Sequence, residues 1–240
     1  MYNTINSEQN QHIKRLKNIF NDKHYRYDNN KYVVEGVRSL DNALNIKELY
    51  IRQGSPIPDV KCDKVYLVSK NIFDKISDTQ NSQGVIAVIS FKIYDIKILR
   101  QNSRYILLDR LQDPGNMGAI IRTACAFGIE AVVINTGCVD PYSPKAVRSA
   151  MGSLEKIKIV KINKIQELKD FILLAADKAG RDIGAYKWPK GFILCIGNEA
   201  NGLSTEVTDA AAETVSIPIS DNIESLNAAV SCGILLYSSR

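Results

Sequence analysis

Three short stretches of this 240-residue chain place amide, charged and small residues where an apolar run ends. They are Asp113-Pro-Gly-Asn-Met-Gly118 leading to Arg122, then Gly197-Asn-Glu-Ala-Asn-Gly-Leu203, then Ile217-Pro-Ile219 followed by Glu224-Ser-Leu-Asn227. Open α/β sheets bind ligands beyond the carboxyl ends of their strands, so these turns suggest one composite site. Arg122 carries the most chemistry. On a helix through residues 117–127 the apolar stripe is Met117, Ile120, Ile121, Ala124 and Cys125, and Arg122 lies off it by roughly 100° or more. Helical side chains lean over residue i−4, here Gly118, which leaves the guanidinium a clear path to the Asp113–Asn116 turn. A site arginine is the better reading there, with a solvated surface arginine as the bland one. Glu199, at the end of a buried run, needs a partner, and an arginine is expected. Ile217-Pro-Ile219 combines apolar side chains with a Pro that cannot donate to a ladder, which suits an adenine slot. Asn116, Ser225 and Asn227 stand at helix starts, where capping and function are hard to separate, and Ser225 reads first as an N-cap.

The elements that must position these turns follow from apolar periodicity. Ile13, Leu16, Ile19 and Phe20 predict a helix over residues 7–20, with Lys14, Arg15 and Lys17 off its apolar face. Strands are predicted at 32–36, 48–51, 64–68 and 84–91, with helices over Val37 to Leu44 and Ile72 to Ile76. A charged stretch, residues 92–104, then separates this unit from a second one. That unit is predicted to hold strands at 105–109, 131–134, 157–162 and 192–196. Its predicted helices are 117–127, Glu167 to Ala179, and Leu226 to Tyr237, with a small-residue segment at 146–153. The alternation argues a mostly parallel sheet with helices on both faces. The expected domains are 1–91, a small α/β/α unit, then 92–104 as linker, then 105–240.

Composition narrows the chemistry. A net charge of +5 is compatible with a polyanionic partner without requiring one. Both histidines, His12 and His24, lie in the polar N-terminal region, so a His-based metal site or a Ser-His-Asp triad has little to draw on. No metal is expected. The five cysteines show no C-x-x-C spacing and read as reduced thiols of a cytoplasmic protein. Neither a secretory signal nor a membrane span is expected. No G-x-G-x-x-G follows a strand, which argues against a Rossmann nucleotide or flavin enzyme.

Taken in order, D-P-x-N-x-G-x-x-x-R-T-A-x-x-F-G (113–128), I-G-N-E-x-x-G-L (196–203) and I-P-I…E-S-L-N (217–227) resemble the three motifs of the SpoU/TrmH RNA 2′-O-ribose methyltransferases. Pro144-Lys-Ala-Val-Arg-Ser-Ala-Met-Gly152 resembles that family's middle segment. Residues 10–16, Arg26 and Val34-Glu-Gly36 are more loosely similar to its RNA-binding substrate domain.

The resemblance implies a trefoil-knotted SPOUT domain that binds S-adenosylmethionine and forms a homodimer. It implies methyl transfer to a ribose 2′-hydroxyl in structured RNA, ribosomal rather than transfer RNA. By position, Gly197, Ile217 and Leu226 would hold the cofactor, while Asn116, Arg122, Glu199, Ser225 and Asn227 would form the reaction centre. Lys14, Arg15, Lys17 and Arg26 would dock RNA, with Lys145 and Arg148 close to the site. Ala200 departs from the glycine common there. Arg122 is favoured as a donor to developing negative charge, because a guanidinium does not readily deprotonate. The alternative from another class is a non-catalytic RNA-binding or ribosome-associated protein that retains the fold.

Overall fold

The computed structural model describes residues 3–40, 45–79 and 81–240, with the side chains of 38 and 39 left aside. The chain divides into two compact units, residues 1–92 with 140–155, and residues 93–139 with 156–240.

The first unit begins with β1 (Asn3–Ile5), α1 (Gln11–Asn21), α2 (Lys23–Asn29) and β2 (Lys31–Glu35). It continues with β3 (Ile46–Arg52), β4 (Lys64–Val68), α3 (Lys70–Ile76) and β5 (Val85–Ser90). The sheet order is β1-β4-β3-β5-β2, with β1, β4 and β3 parallel and β5 antiparallel to both its neighbours. Asn10 caps α1 by accepting from the His12 amide at 2.8 Å. The helix then buries Ile13, Leu16 and Ile19 against Tyr50, Tyr66, Phe73 and Val88. Two elements escaped the sequence reading. The polar N-terminus supplies β1 as an edge strand, and α2 follows α1 after Asp22, whose side chain caps it. Val37–Leu40 is a 3-10 turn rather than the start of an eight-residue helix, and residues 41–44 lie outside those described.

The second unit takes up the stretch expected as linker, which contains β6 (Ile93–Tyr94) and a 3-10 turn at Ile96–Ile98. Then come β7 (Arg104–Leu108), α4 (Pro114–Ala126) and β8 (Ala131–Ile134). Residues 140–155, with α5 (Pro144–Ala150), pack in the first unit, where α5 lies against β2. The sequence alone predicts them within the C-terminal domain, residues 105–240. The anchor is a buried cluster in which Asp140 accepts from the Arg26 guanidinium, Tyr27 Oη and the Tyr142 amide, while Tyr142 stacks on Phe91 at 3.9 Å.

The second unit resumes with β9 (Lys158–Lys161), β10 (Leu173–Asp182), β11 (Phe192–Ile196), α6 (Thr205–Ala210), β12 (Glu213–Ser216) and α7 (Ala228–Ser238). Its sheet runs β12-β10-β11-β7-β8-β9-β6, and every pairing is parallel. β10 corrects an expected helix. Leu173-Leu174-Ala175 carries helix-forming residues, yet it is fully enclosed between β11 and β12, and tertiary context overrides propensity. Past Ala176 the register slips, so that Ala176 and Arg181 both face Val215. Gly180 allows the close approach, since a Cβ there would meet the Thr214 and Val215 backbone at 2.6 Å.

Candidate active site

The three motif turns all leave carboxyl ends of strands in the second unit. The first follows β7, and the residue directly after that strand is Asp109, a fully buried carboxylate. Asp109 accepts from Asn135 Nδ2 after β8 and from the Ser204 amide after β11, so one buried charge ties the strand ends together. Arg110 comes next in a left-handed conformation (φ 54°). Its amide donates to Asn135 Oδ1 at 2.9 Å, and its carbonyl accepts from Asn198 Nδ2 at 2.9 Å. Asp113 then caps α4, accepting from the Asn116 amide at 2.8 Å, with Pro114 opening the helix.

The second turn folds back on itself. Asn198 and Gly202 exchange backbone hydrogen bonds at 2.9 Å, and Asn198 Oδ1 accepts from the amides of Ala200 and Asn201. Gly197 is dictated by this fold, because a Cβ there would sit 2.3 Å from the Gly202 carbonyl carbon and 2.5 Å from the Leu203 nitrogen. The tight turn presents Glu199 toward the first motif. Its carboxylate accepts from the Gln112 amide at 3.2 Å, the Asp113 amide at 3.1 Å and Asn116 Nδ2 at 3.0 Å. The arginine partner expected for Glu199 is thus replaced by two backbone amides and a carboxamide. Desolvation alone would raise the Glu199 pKa, but these donors together outweigh it and hold the carboxyl below its ordinary value.

The third turn closes the chain of contacts. α7 begins at Ala228, and its N-cap is Asn227, not Ser225. Asn227 Oδ1 accepts from the Ala229 and Val230 amides at 2.9 and 3.3 Å, while its Nδ2 donates to Asn116 Oδ1 at 2.9 Å. A hydrogen-bonded line therefore runs from the start of α7 through Asn227 and Asn116 to Glu199, joining all three motifs.

Beside this line lies a cavity of ≈ 540 Å³. Gly197, Ile217 and Leu226 line it, as do Glu199, Ser225 and Asn227. Ala176, Asp177 and Lys178, from the slipped part of β10, also line it. These three went unnoticed because the segment read as helix. Asp109 and Asn198 were missed as well. The signal for Asp109 was a carboxylate at the end of an apolar strand, and for Asn198 its place between Gly197 and Glu199. Arg122 is exposed on α4 and is not among the residues lining the cavity.

The basic residues of the first unit divide. Lys14 is exposed, Arg15 pairs with Glu48, Lys17 lies 4.0 Å from Glu8, Lys145 is exposed, and Arg148 pairs with Asp78. Arg26 does not fit the RNA-docking role expected of it. It is buried, with its donors directed to Asp140 and to the carbonyls of Ile19 and Phe20, so it holds the fold instead. Among the described residues no cluster of His, Cys, Asp or Glu could hold a metal ion, and no helix is long and apolar enough to cross a membrane.

Residues 103–237 match the model of the SpoU rRNA Methylase family, and residues 10–87 match the MRM3-like substrate binding domain. The 23S rRNA (guanosine(2553)-2′-O)-methyltransferase RlmP of Bacillus subtilis is 30% identical over 98% of this chain and 98% of its own. The AdoMet-bound rRNA methyltransferase structure from Sinorhizobium meliloti superimposes with a TM-score of 0.88 at 26% identity, covering 100% of this chain and 97% of that one. The SpoU methyltransferase AviRb from Streptomyces viridochromogenes shares the fold with a TM-score of 0.87 at 24% identity, over 96% of this chain and 97% of its own. On its motifs, its sheet and these matches, the chain belongs to the SpoU rRNA methylase family.

Proposed function

We propose that this protein transfers a methyl group from S-adenosylmethionine to a ribose 2′-hydroxyl of ribosomal RNA. The observation that carries this reading is the Asn227–Asn116–Glu199 line set against the cavity that Gly197, Ile217 and Leu226 share. The cavity fits the cofactor. Its ≈ 540 Å³ lies within the ~300–1,000 Å³ of small-molecule sites. Ile217, Ile219 and Leu226 offer apolar surface for an adenine, and Asp177 and Lys178 bring opposite charges suited to a ligand bearing both ammonium and carboxylate. The Bacillus relative is named for ribose methylation of 23S rRNA, and the Sinorhizobium structure is described as AdoMet-bound, which supports both substrate and cofactor.

When bound, S-adenosylmethionine supplies a methyl group activated by its sulfonium. The protein's task is to align a weakly acidic hydroxyl and to favour negative charge on its oxygen. Glu199, held ionised and already accepting from Gln112, Asp113 and Asn116, acts as a fixed acceptor that sets the loops. Asn116 and Asn227 transmit that order between helix starts, and Ser225 borders the cavity. Arg122 donates from the RNA side, toward the 2′-oxygen and its adjacent phosphate. The working form is a homodimer in the cytoplasm. Val230, Ile234 and Tyr237 form an exposed apolar stripe on α7, 50%, 37% and 67% exposed, and α7 packs on α4, the helix of Arg122. Calorimetric titration with S-adenosylmethionine, followed by transfer of labelled methyl to 23S rRNA, tests the function. Cofactor binding without ribose methylation would turn the reading to a non-catalytic protein.

A further inference from the structure

The N-terminal ends of β2, β3 and β4 and the C-terminal end of β5 lie at one edge of the first unit's sheet, as the register pairs Lys31 with Ser90, Ile46 with Ile89 and Glu48 with Lys64. Side chains alternate along strands, so Lys31, Glu48 and Lys64 share the face of Val33, Tyr50 and Tyr66, on which α1 packs. Arg15 reaches this edge from α1 and pairs with Glu48, whose other oxygen accepts from Tyr50 Oη at 2.7 Å. His12 adds its ring 4.5 Å from that of Tyr66. Beside them, Lys47, at the register shift between Ile46 and Glu48, pairs with Asp63 at 3.2 Å. Both carboxylates thus have a cation, while among the described residues neither Lys31 nor Lys64 is in an ion pair.

We infer that this edge, with Lys31 and Lys64 as its uncompensated cations and Arg15 and His12 beside them, is a phosphate-binding face that docks the ribosomal RNA substrate. The inference rests on the methyltransferase reading above, but differs from a general basic helix in naming the strand edge rather than Lys14, Lys17 or Arg26. Crowding of like charge supports it. Burial first, then Arg15, Lys47 and Lys64, lower the Lys31 pKa against the pull of Asp63; burial, Arg15 and Lys64 do the same to His12. A free protein gains nothing from such repulsion, whereas a polyanion relieves it.

The test uses the full chain and in vitro transcribed 23S rRNA in filter binding across a salt series, with Lys31→Gln/Lys64→Gln and Lys31→Arg/Lys64→Arg. The Gln pair should weaken RNA binding about tenfold and flatten the salt slope by about 0.7–0.9 per lost phosphate contact. It should leave S-adenosylmethionine affinity unchanged and the melting temperature unchanged or raised. The Arg pair should bind as the wild type does. Unchanged RNA affinity and slope in the Gln pair, or an equal loss in the Arg pair, would overturn the inference. If the wild-type protein binds neither RNA nor S-adenosylmethionine, the methyltransferase reading itself fails.

Discussion

Asn227 Nδ2 donates to Asn116 Oδ1 at 2.9 Å, joining the N-cap of α7 to the first turn of α4. The direction of this bond is fixed at both ends. The amides of Ala229 and Val230 require Asn227 to turn its oxygen toward α7, and the Glu199 carboxylate requires Asn116 to turn its nitrogen away from Asn227. Neither carboxamide can flip without losing hydrogen bonds on both sides. Residues 111 positions apart in sequence therefore hold one orientation.

This sets capping apart from alignment. Asn227→Asp keeps the acceptor that caps α7 but removes the donor to Asn116. It should melt near the wild-type temperature yet lose methyl transfer by about 100-fold, the scale of a misplaced site. Asn227→Ala should lose the cap as well, at about 1 kcal/mol. Thermal melts and single-turnover transfer read the two effects separately.

Gly197→Ala would drive a methyl into the Gly202–Leu203 backbone. Forced overpacking of this kind costs about 1–3 kcal/mol. Because Gly197 lines the cavity, weaker binding of S-adenosylmethionine should accompany the lost stability. Calorimetry and denaturant melts on the same preparation measure both.

Glu199 gives the site a pH signature. Folding lowers its pKa, so its ionised form stabilises the fold above the free-carboxylate value of about 4.3, and that contribution disappears as pH falls through the lower folded value. The stability gap between wild type and Glu199→Gln should be present at pH 7 and close only once the pH has fallen through the lowered folded value. A gap unchanged from pH 7 to the acid limit would contradict this assignment.

Arg26 and Asp140 form a buried pair, so truncating one strands the other's charge. Arg26→Ala should cost about 3–5 kcal/mol. The double variant with Asp140→Ala should cost less than the sum of the singles, read by urea melts.

The sequence made the site more legible than the scaffold. Gly197, Glu199, Asn116 and Asn227 stand out because turns, caps and strand-end charges are local signals. Ala176–Lys178 were hidden because Leu173-Leu174-Ala175 has helical propensity and becomes β10 only when enclosed by β11 and β12. The Ser225 cap failed by two residues, within the usual uncertainty of helix ends. Arg26 read as an RNA contact because burial with Asp140, 114 positions away, leaves no trace in local sequence. For the same reason residues 140–155 could not be assigned to the first unit from their composition.

The proposed reaction is ribose methylation at these turns, with Arg122 as the donor to the 2′-oxygen. The most direct measurement is transfer of labelled methyl from S-adenosylmethionine to 23S rRNA, with the product mapped by resistance to alkaline cleavage, for wild type and Arg122→Ala. Wild type should place the label on a ribose 2′-oxygen, while Arg122→Ala should bind the cofactor and transfer nothing. Label found on a base, or near wild-type transfer by Arg122→Ala, would contradict the account.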